Sequence, residues 1–499
     1  MESSAPLLFR LLTALLSTIQ SPPPTSPHPL HRPTPTFSVA DYGAVGDGVH
    51  YDTRHIQAAI DACASAGGGR VRFPSGRNYL TATIHLRSGV VLEIEKGARV
   101  VGGTRQGDYP AESRRWYVVL AEDAADVGIT GGGEIDGQGM RFVERLDERK
   151  NVMVSWNATG DCVGDECRPR LVGFIGCRNV RVWDVKLTQP AYWCTSPCSK
   201  TLSFCQKHAN ANWPFTVVRC GSNDHLSLHL VRCDNTSIQD ISIYGDFDSP
   251  NNDGIDIEDS NNTVITRCNI NTGDDAICPK SSTGPVYNLT ATDCWIRTKS
   301  SAIKLGSASV FDFKGLLFDN ITIVDSHRGL SLQIRDGGNV DGVTFSNINI
   351  STRYYDPSWW GRAEPIYVTT CPRDSNSKAG SISNLQFINI TAVSENGVFL
   401  SATEGGLLRD LKFINVQLSY RRWTNYTDGL IDYRPGCQGF VNHSMAGIIM
   451  EKIEGLQIEN MNMRWSDSHS KGWNTPLDFN PSTVNNISLF SFHSGLYQQ

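Results

Sequence analysis

The second half of the chain repeats one arrangement of apolar and polar positions: apolar, any residue, aromatic or apolar, any residue, Asn, apolar. It recurs as Leu316-Phe318-Asn320-Ile321, Val343-Phe345-Asn347-Ile348, Leu385-Phe387-Asn389-Ile390, Leu411-Phe413-Asn415-Val416 and Leu456-Ile458-Asn460-Met461. The intervals are 27, 42, 26 and 45 residues, so the short ones fit one coil of a solenoid and the long ones a coil that carries a loop. Alternation with period 2 predicts strands with one apolar face, and its recurrence predicts that each coil buries that face against the next, with the Asn residues stacked inside the turns. The expected fold class is all-β, a single-stranded parallel β-helix. An antiparallel sandwich would need hairpin turns such as Asn-Gly, which are scarce at the required places. Near the start the period changes to about 3.6: Ile56, Ala59, Ile60 and Cys63 predict a helix over 53–66, with Asp52 or Thr53 as N-cap and Gly67-Gly68-Gly69 as its stop. Such a helix would cap the open end of the solenoid. One stretch breaks the rhythm. Pro190 to Cys194 would run into Leu228 to Cys233 without residues 195–227, which read as an inserted segment.

Composition adds a setting. Residues Leu7 to Ile19 form a short apolar run followed by a Pro-rich stretch to Pro35, the order of a secretory signal (1–35 with its linker) ahead of one domain at 36–499. The run is too short to span a bilayer. Ten N-x-S/T sequons, at Asn157, Asn235, Asn261, Asn288, Asn320, Asn349, Asn389, Asn425, Asn442 and Asn486, agree with a secreted glycoprotein. Fourteen cysteines permit disulfides, with Cys162/Cys167 and Cys194/Cys198 as local candidates, whereas Cys268 and Cys278 at strand positions read as small core residues. A net charge of −6 and the absence of basic runs exclude an electrostatic case for nucleic acid or an anionic membrane. No Cys/His grouping has zinc spacing.

Candidate chemistry concentrates between Asn251 and Ser281. Asp253 and the adjacent pair Asp274 and Asp275 flank a stretch that alternates like a strand (Ile255, Ile257, then Val264 to Ile270). Asp253 and Asp274 are 21 residues apart, about one coil, and coils stack at roughly 4.8 Å. One coil of separation therefore predicts three carboxylates on one patch. A protonated carboxyl and an ionised one are what hydrolysis of a glycosidic bond requires. An isolated Gly-Asp-Asp would read as a turn; the spacing of the full set points to chemistry instead. Asp256 and Glu258 read as turn or outer-face groups.

These residues resemble glycoside hydrolase family 28, the polygalacturonases. The segment from Phe37, SVADYGAVGDGVHYDTRHIQAAIDACASAGGGRVRFPSG, looks like the family's N-terminal signature; Asn251-Asn252-Asp253 matches its N-T-D with Asn for Thr, and Gly273-Asp274-Asp275 matches its G-D-D. The resemblance implies a right-handed β-helix, Asp274 as general acid, Asp253 and Asp275 holding the attacking water, inversion at the anomeric carbon, and neither metal nor cofactor. It implies a monomer acting on pectic polysaccharide outside the cell or in the cell wall. Two motifs depart from the family. Its G-H-G histidine falls on Ser301, and the nearest match to its R-I-K is Gln333-Ile334-Arg335. Asn251, Lys304, Arg328 and Arg335 are the expected substrate contacts, the three cations as replacements for the Arg and Lys that grip a substrate carboxylate. The rivals are a hydrolase of rhamnogalacturonan or other decorated pectin, a silent carbohydrate-binding protein, and a Ca²⁺-dependent lyase, which would need a basic proton abstractor.

Overall fold

The structure is a computed structural model that describes residues 34–109, 116–147, 149–153, 168–191, 227–422, 424–425, 429–437, 439–443, 445–466 and 475–496. The expected signal and linker apart from Thr34 and Pro35, the inserted segment apart from Ser227, and the pairs Cys162/Cys167 and Cys194/Cys198 lie outside the described residues.

The strands stack as parallel coils. A 12-stranded sheet runs in strict chain order, from Ile84–Leu86 to Thr475–Phe479, and a 22-stranded parallel sheet wraps the remaining faces. Leu228, Ile255, Ile277, Ile303, Leu330 and Ile366 occupy one register column through six consecutive coils, all fully buried. The repeated motif forms a second column set: Phe318, Phe345, Phe387 and Phe413 are register partners with ring centroids 5.1, 5.4 and 4.7 Å apart. Each strand closes an apolar face that its own coil could not bury alone, so the core is one continuous cluster along the axis. The fold is the expected right-handed parallel β-helix.

The predicted Asn stack is present, but on the outside. Asn320, Asn347, Asn389, Asn415 and Asn460 all have φ between 50° and 57°, in the left-handed region, and each sits in the middle of a strand that would otherwise run straight. A single left-handed residue turns the chain through a corner, and Asn tolerates that conformation better than other residues with a Cβ. The amides form a ladder: Asn347 donates to Asp319, Asn389 to Asn347, Asn415 to Asn389 and Asn460 to Asn415, at 2.7 to 3.0 Å. All five residues are exposed, which corrects the expectation that the turns would enclose them. The side chain of a corner residue points away from the axis, and its ladder lies on the solvent side.

Helix α1 (Thr53–Ser65) buries Ile56, Ala59, Ile60 and Cys63 against the first coils. Asp52 precedes it without capping it; its carboxylate instead accepts Val45 and Gly46 N–H at 2.7 and 2.9 Å, fixing the loop before the helix. Cys268 lies in the core as expected, whereas Cys278 is buried outside that cluster. Cys371 and Cys437 form a disulfide across 66 residues, a pairing without a local signal in the sequence.

The Asn ladder makes a testable prediction. Asn389 donates one ladder bond and accepts another. Asn389→Ala should destabilise the protein by about 2–3 kcal/mol, from an unfavourable left-handed Ala and two lost bonds. Asn389→Gly should cost less, because glycine removes the backbone penalty. Denaturant midpoints for the two variants check the order; equal losses would mean that the corner imposes no backbone constraint.

Candidate active site

The site is built on four consecutive strands of the 12-stranded sheet: β1 (Ile255–Glu258), β2 (Ile277–Lys280), β3 (Ser301–Ser307) and β4 (Arg328–Ile334). Their residues are buried on both faces, so the outer side of this sheet is covered rather than solvated. Ile255 pairs with Ile277, and Gly254 N–H donates to Asp275 O at 2.9 Å. Asp253 therefore has Asp275, 22 residues on, as its register neighbour. Asp274 is brought in by the turn before it. Asn252 Oδ1 accepts Gly273 and Asp274 N–H (2.6 and 3.1 Å), while its Nδ2 donates to Asp246 O. Gly273 is required there, since a Cβ would stand 2.1 Å from Ser249 O. Oxygens of Asp253, Asp274 and Asp275 lie within 4.8 Å of one another, as the spacing predicts.

Three carboxylates so close and so dry cannot all carry charge. Burial first, then the charge of Asp275, pushes Asp274 up to about 6, against the opposing pull of Lys304. Burial works against the charge of Asp275 as well, but Lys304 at 2.5 Å, Ser300 Oγ at 2.8 Å and Ser301 N–H at 3.1 Å outweigh it and hold that carboxyl below its usual range. Asp253, fully enclosed and facing Asp274 and Asp256, is pushed well above it. The set contains one group held as carboxylate, one held as carboxylic acid and one poised between.

The structure reassigns several expected residues. Asn251 is buried at φ 68° and gives both its main-chain N–H and its Nδ2 to Asp274 Oδ2, at 3.0 and 2.7 Å, so it positions the carboxyl rather than facing a ligand. Lys304 is the partner of Asp275, not a free cation. Arg328 has no exposed surface: it lies 3.6 Å from the Tyr367 ring centroid and pairs with Glu364 at 3.1 Å. Arg335 is equally buried, donating to the carbonyls of Ile334, Thr369, Pro435 and Tyr433 and to Thr369 Oγ1, and burial lowers its pKa to about 10. Neither arginine can grip a polymer from there. Asp256 is no turn residue; it is a buried strand residue bound to Lys280, whose Nζ lies 3.7 Å from Asp253. Glu258 is likewise buried, 3.3 Å from His229. Ser301, at the position of the family's histidine, offers Asp275 its main-chain N–H. His327, one coil further on, is buried with its pKa well below the usual value, through burial and the charges of Arg362 and Arg328.

The sequence reading missed Lys280. Its signal was register: it aligns with Glu258 on the face that carries Asp256. A strap from Asp147 to Asn151 also reaches the site. Asn151 N–H donates to Asp248 O (2.8 Å), its Nδ2 to Asp246 (3.0 Å), and Arg149 O accepts both Trp359 Nε1 and Lys299 Nζ at 2.7 Å. Trp360 stands beside Lys304, 5.0 Å from ring centroid to Nζ. The arrangement can donate a proton, accept one, and hold a water between two carboxyls.

Comparison with known proteins points to one family. The model of "Glycosyl hydrolases family 28" matches residues 173–428, and that of "Rhamnogalacturonase A/epimerase, pectate lyase-like" matches residues 36–93. A protein named as a probable polygalacturonase of Arabidopsis thaliana is 24% identical over 398 residues, 75% of this chain and 73% of the relative. The exo-poly-alpha-D-galacturonosidase of Dickeya chrysanthemi is 26% identical over 340 residues, 62% of this chain; the match spans 54% of that relative. The solved structure of the family 28 exopolygalacturonase of Yersinia enterocolitica superposes with a TM-score of 0.58 at 17% identity, covering 93% of this chain and 78% of the other.

The Lys304–Asp275 pair yields a prediction. Lys304→Met keeps the stem and deletes the charge, leaving a buried carboxylate without its cation, a change worth about 3–5 kcal/mol. Asp275 is depressed below 3.8 in the folded protein, so the pair's contribution is present above that pH and lost as pH falls through the folded value. The gap in thermal midpoint between parent and variant should therefore be wide at neutral pH and close on acidification below about 4. A gap independent of pH would show that Lys304 acts by packing alone.

Proposed function

Because the chain belongs to glycosyl hydrolases family 28, and is thus a glycoside hydrolase, we propose that it hydrolyses α-glycosidic bonds in pectic polysaccharide in the manner of a polygalacturonase. The observation that supports this most directly is the set of three carboxyls within 4.8 Å, with different proton affinities imposed by their surroundings. Asp274 is the general acid: its proton passes to the leaving oxygen as the glycosidic bond breaks. Asp275, ionised beside Lys304, takes a proton from the attacking water, and Asp253 orients that water by a hydrogen bond. One water is consumed, Asp274 ends ionised and Asp275 protonated, and exchange with solvent resets both. Trp360 offers a ring face against which a sugar can stack. The Cys371–Cys437 disulfide supports secretion, since such bonds persist in oxidising compartments.

A second reading, a hydrolase of rhamnogalacturonan or another decorated pectin, is favoured by the burial of Arg328 and Arg335 and by the match of residues 36–93. Reducing-sugar release from defined homogalacturonan and rhamnogalacturonan fragments separates the two.

Three outcomes test the mechanism. Asp274→Asn should lower the rate about 10²–10⁴-fold, the usual worth of general acid catalysis; activity within a factor of about two of the parent would remove Asp274 from that role. The acid works only while protonated, so the rate should fall as pH rises through about 6 and stay level below it, where Asp275 remains ionised. A rate still rising above that pH would contradict the assignment. Inversion should release the β-anomer first, visible by proton NMR in early turnover. Water-activating carboxyl pairs usually stand about 6.5–9.5 Å apart, wider than the oxygens here; the α-anomer first would replace the scheme with a double displacement through a glycosyl-enzyme.

A further inference from the structure

Most basic side chains around the site are held in ion pairs among the described residues. Lys280 holds Asp256, Lys304 holds Asp275, Lys299 holds Asp248 at 2.5 Å, Arg328 holds Glu364, and Arg362 and Arg434 share Asp432. Lys150 forms neither an ion pair nor a hydrogen bond among the described residues. It is half-buried on the strap, with Nζ 5.3 Å from the Trp359 ring centroid, and the charged groups that face it are Asp274, Arg434 and Asp356. Burial lowers its pKa, and the charge of Asp274 opposes that fall.

Lys150 is also held in place. On one side Arg149 O is clamped by Trp359 and Lys299; on the other Asn151 is tied to Asp246, Asp248 and Ser249. Asp246 O accepts from Asn252, whose Oδ1 accepts the Asp274 N–H, so two side-chain links connect the strap to the proposed acid. An ammonium with neither an ion-pair nor a hydrogen-bond partner among the described residues is costly to hold half-buried unless an anion arrives to complete it. A uronic acid polymer carries a carboxylate on each sugar, within a ring's width of the bond to be cleaved.

We propose that Lys150 binds the carboxylate of an acidic sugar adjacent to the cleaved bond, with Trp359 fixing the lysine stem beneath it. Carboxylate recognition then comes from a strap outside the coils, and not from the strand positions occupied by Gln333 and Arg335. The proposal rests on the pectic-hydrolase reading for its choice of ligand.

The test measures binding by titration calorimetry, with oligogalacturonate and its methyl ester as probes, to the full chain carrying Asp274→Asn so that nothing is cleaved. Adding Lys150→Met should weaken oligogalacturonate about 10- to 100-fold, the worth of a charge-assisted hydrogen bond, and leave the ester nearly unchanged. Lys150→Arg should retain most of the affinity, and the thermal midpoint shows that each variant is folded. Equal weakening of both ligands, no weakening of either, or no binding of oligogalacturonate to the Asp274→Asn protein would overturn the proposal. Cleavage by the parent protein is scored separately: selective binding through Lys150 with no hydrolysis of any pectic fragment would sustain the lysine's role and sink the hydrolase reading.

Discussion

Coils that pair strand to strand must all turn their corners at the same height, because a slip of one residue would put the apolar column on the wrong side. The exposed Asn ladder enforces this, each left-handed corner being tied to the corner of the next coil at 2.7 to 3.0 Å. The same fixed register brings the candidate site together. Asp253 and Asp275 are neighbours because Ile255 and Ile257 pair with Ile277 and Pro279, and nothing in their own loops would bring them together. Local turns add Asp274 through Asn252 and Gly273, whose only tolerable side chain is hydrogen.

Once the carboxyls are in register, charge balance decides what they can do. Asp253, Asp256, Asp274 and Asp275 share their neighbourhood with Lys280 and Lys304, so four ionised acids would leave a surplus that a dry site cannot carry. Each lysine satisfies one acid, Lys280 for Asp256 and Lys304 for Asp275. The two acids without a dedicated ammonium, Asp253 and Asp274, are the ones whose proton affinity rises. The proposed acid and base thus differ in whether the carboxyl received a cation.

The sequence carried what periodicity can carry: the parallel coils, the column of Leu and Phe positions, the amphipathic helix at Ile56 to Cys63, and the approach of three aspartates. It misjudged what depends on the far side of a strand. Asp256 and Glu258 alternate with Ile255 and Ile257 as solvent-facing residues would, yet that face is buried and the neighbouring strands pair both acids, Asp256 with Lys280 and Glu258 with His229. The Asn residues were legible as a stack but not as an outward one, because a corner residue follows neither the period of the strand before it nor that of the strand after it. Arg335 follows the central Ile of a binding motif in the sequence, while in space it lies at a strand end, donating to the carbonyls of Pro435 and Tyr433.

Fixed register also limits how such a protein can change its specificity. A strand residue on the site's face is locked to its neighbours one coil up and down, so a lost cation cannot be recovered by shifting the strand. Lys304 illustrates the bind: it lies on that face, but Asp275 is close enough to claim it. A strap is free of the coil register and can be tuned in length and anchorage. The segment ending at Asn151 is tied to the Asp246–Asn252 turn that also sets Asp274, so a cation mounted on it moves with the acid. The proposed contact of Lys150 with a sugar carboxylate relies on this link: one turn ties a half-buried lysine on an irregular segment to the proposed acid.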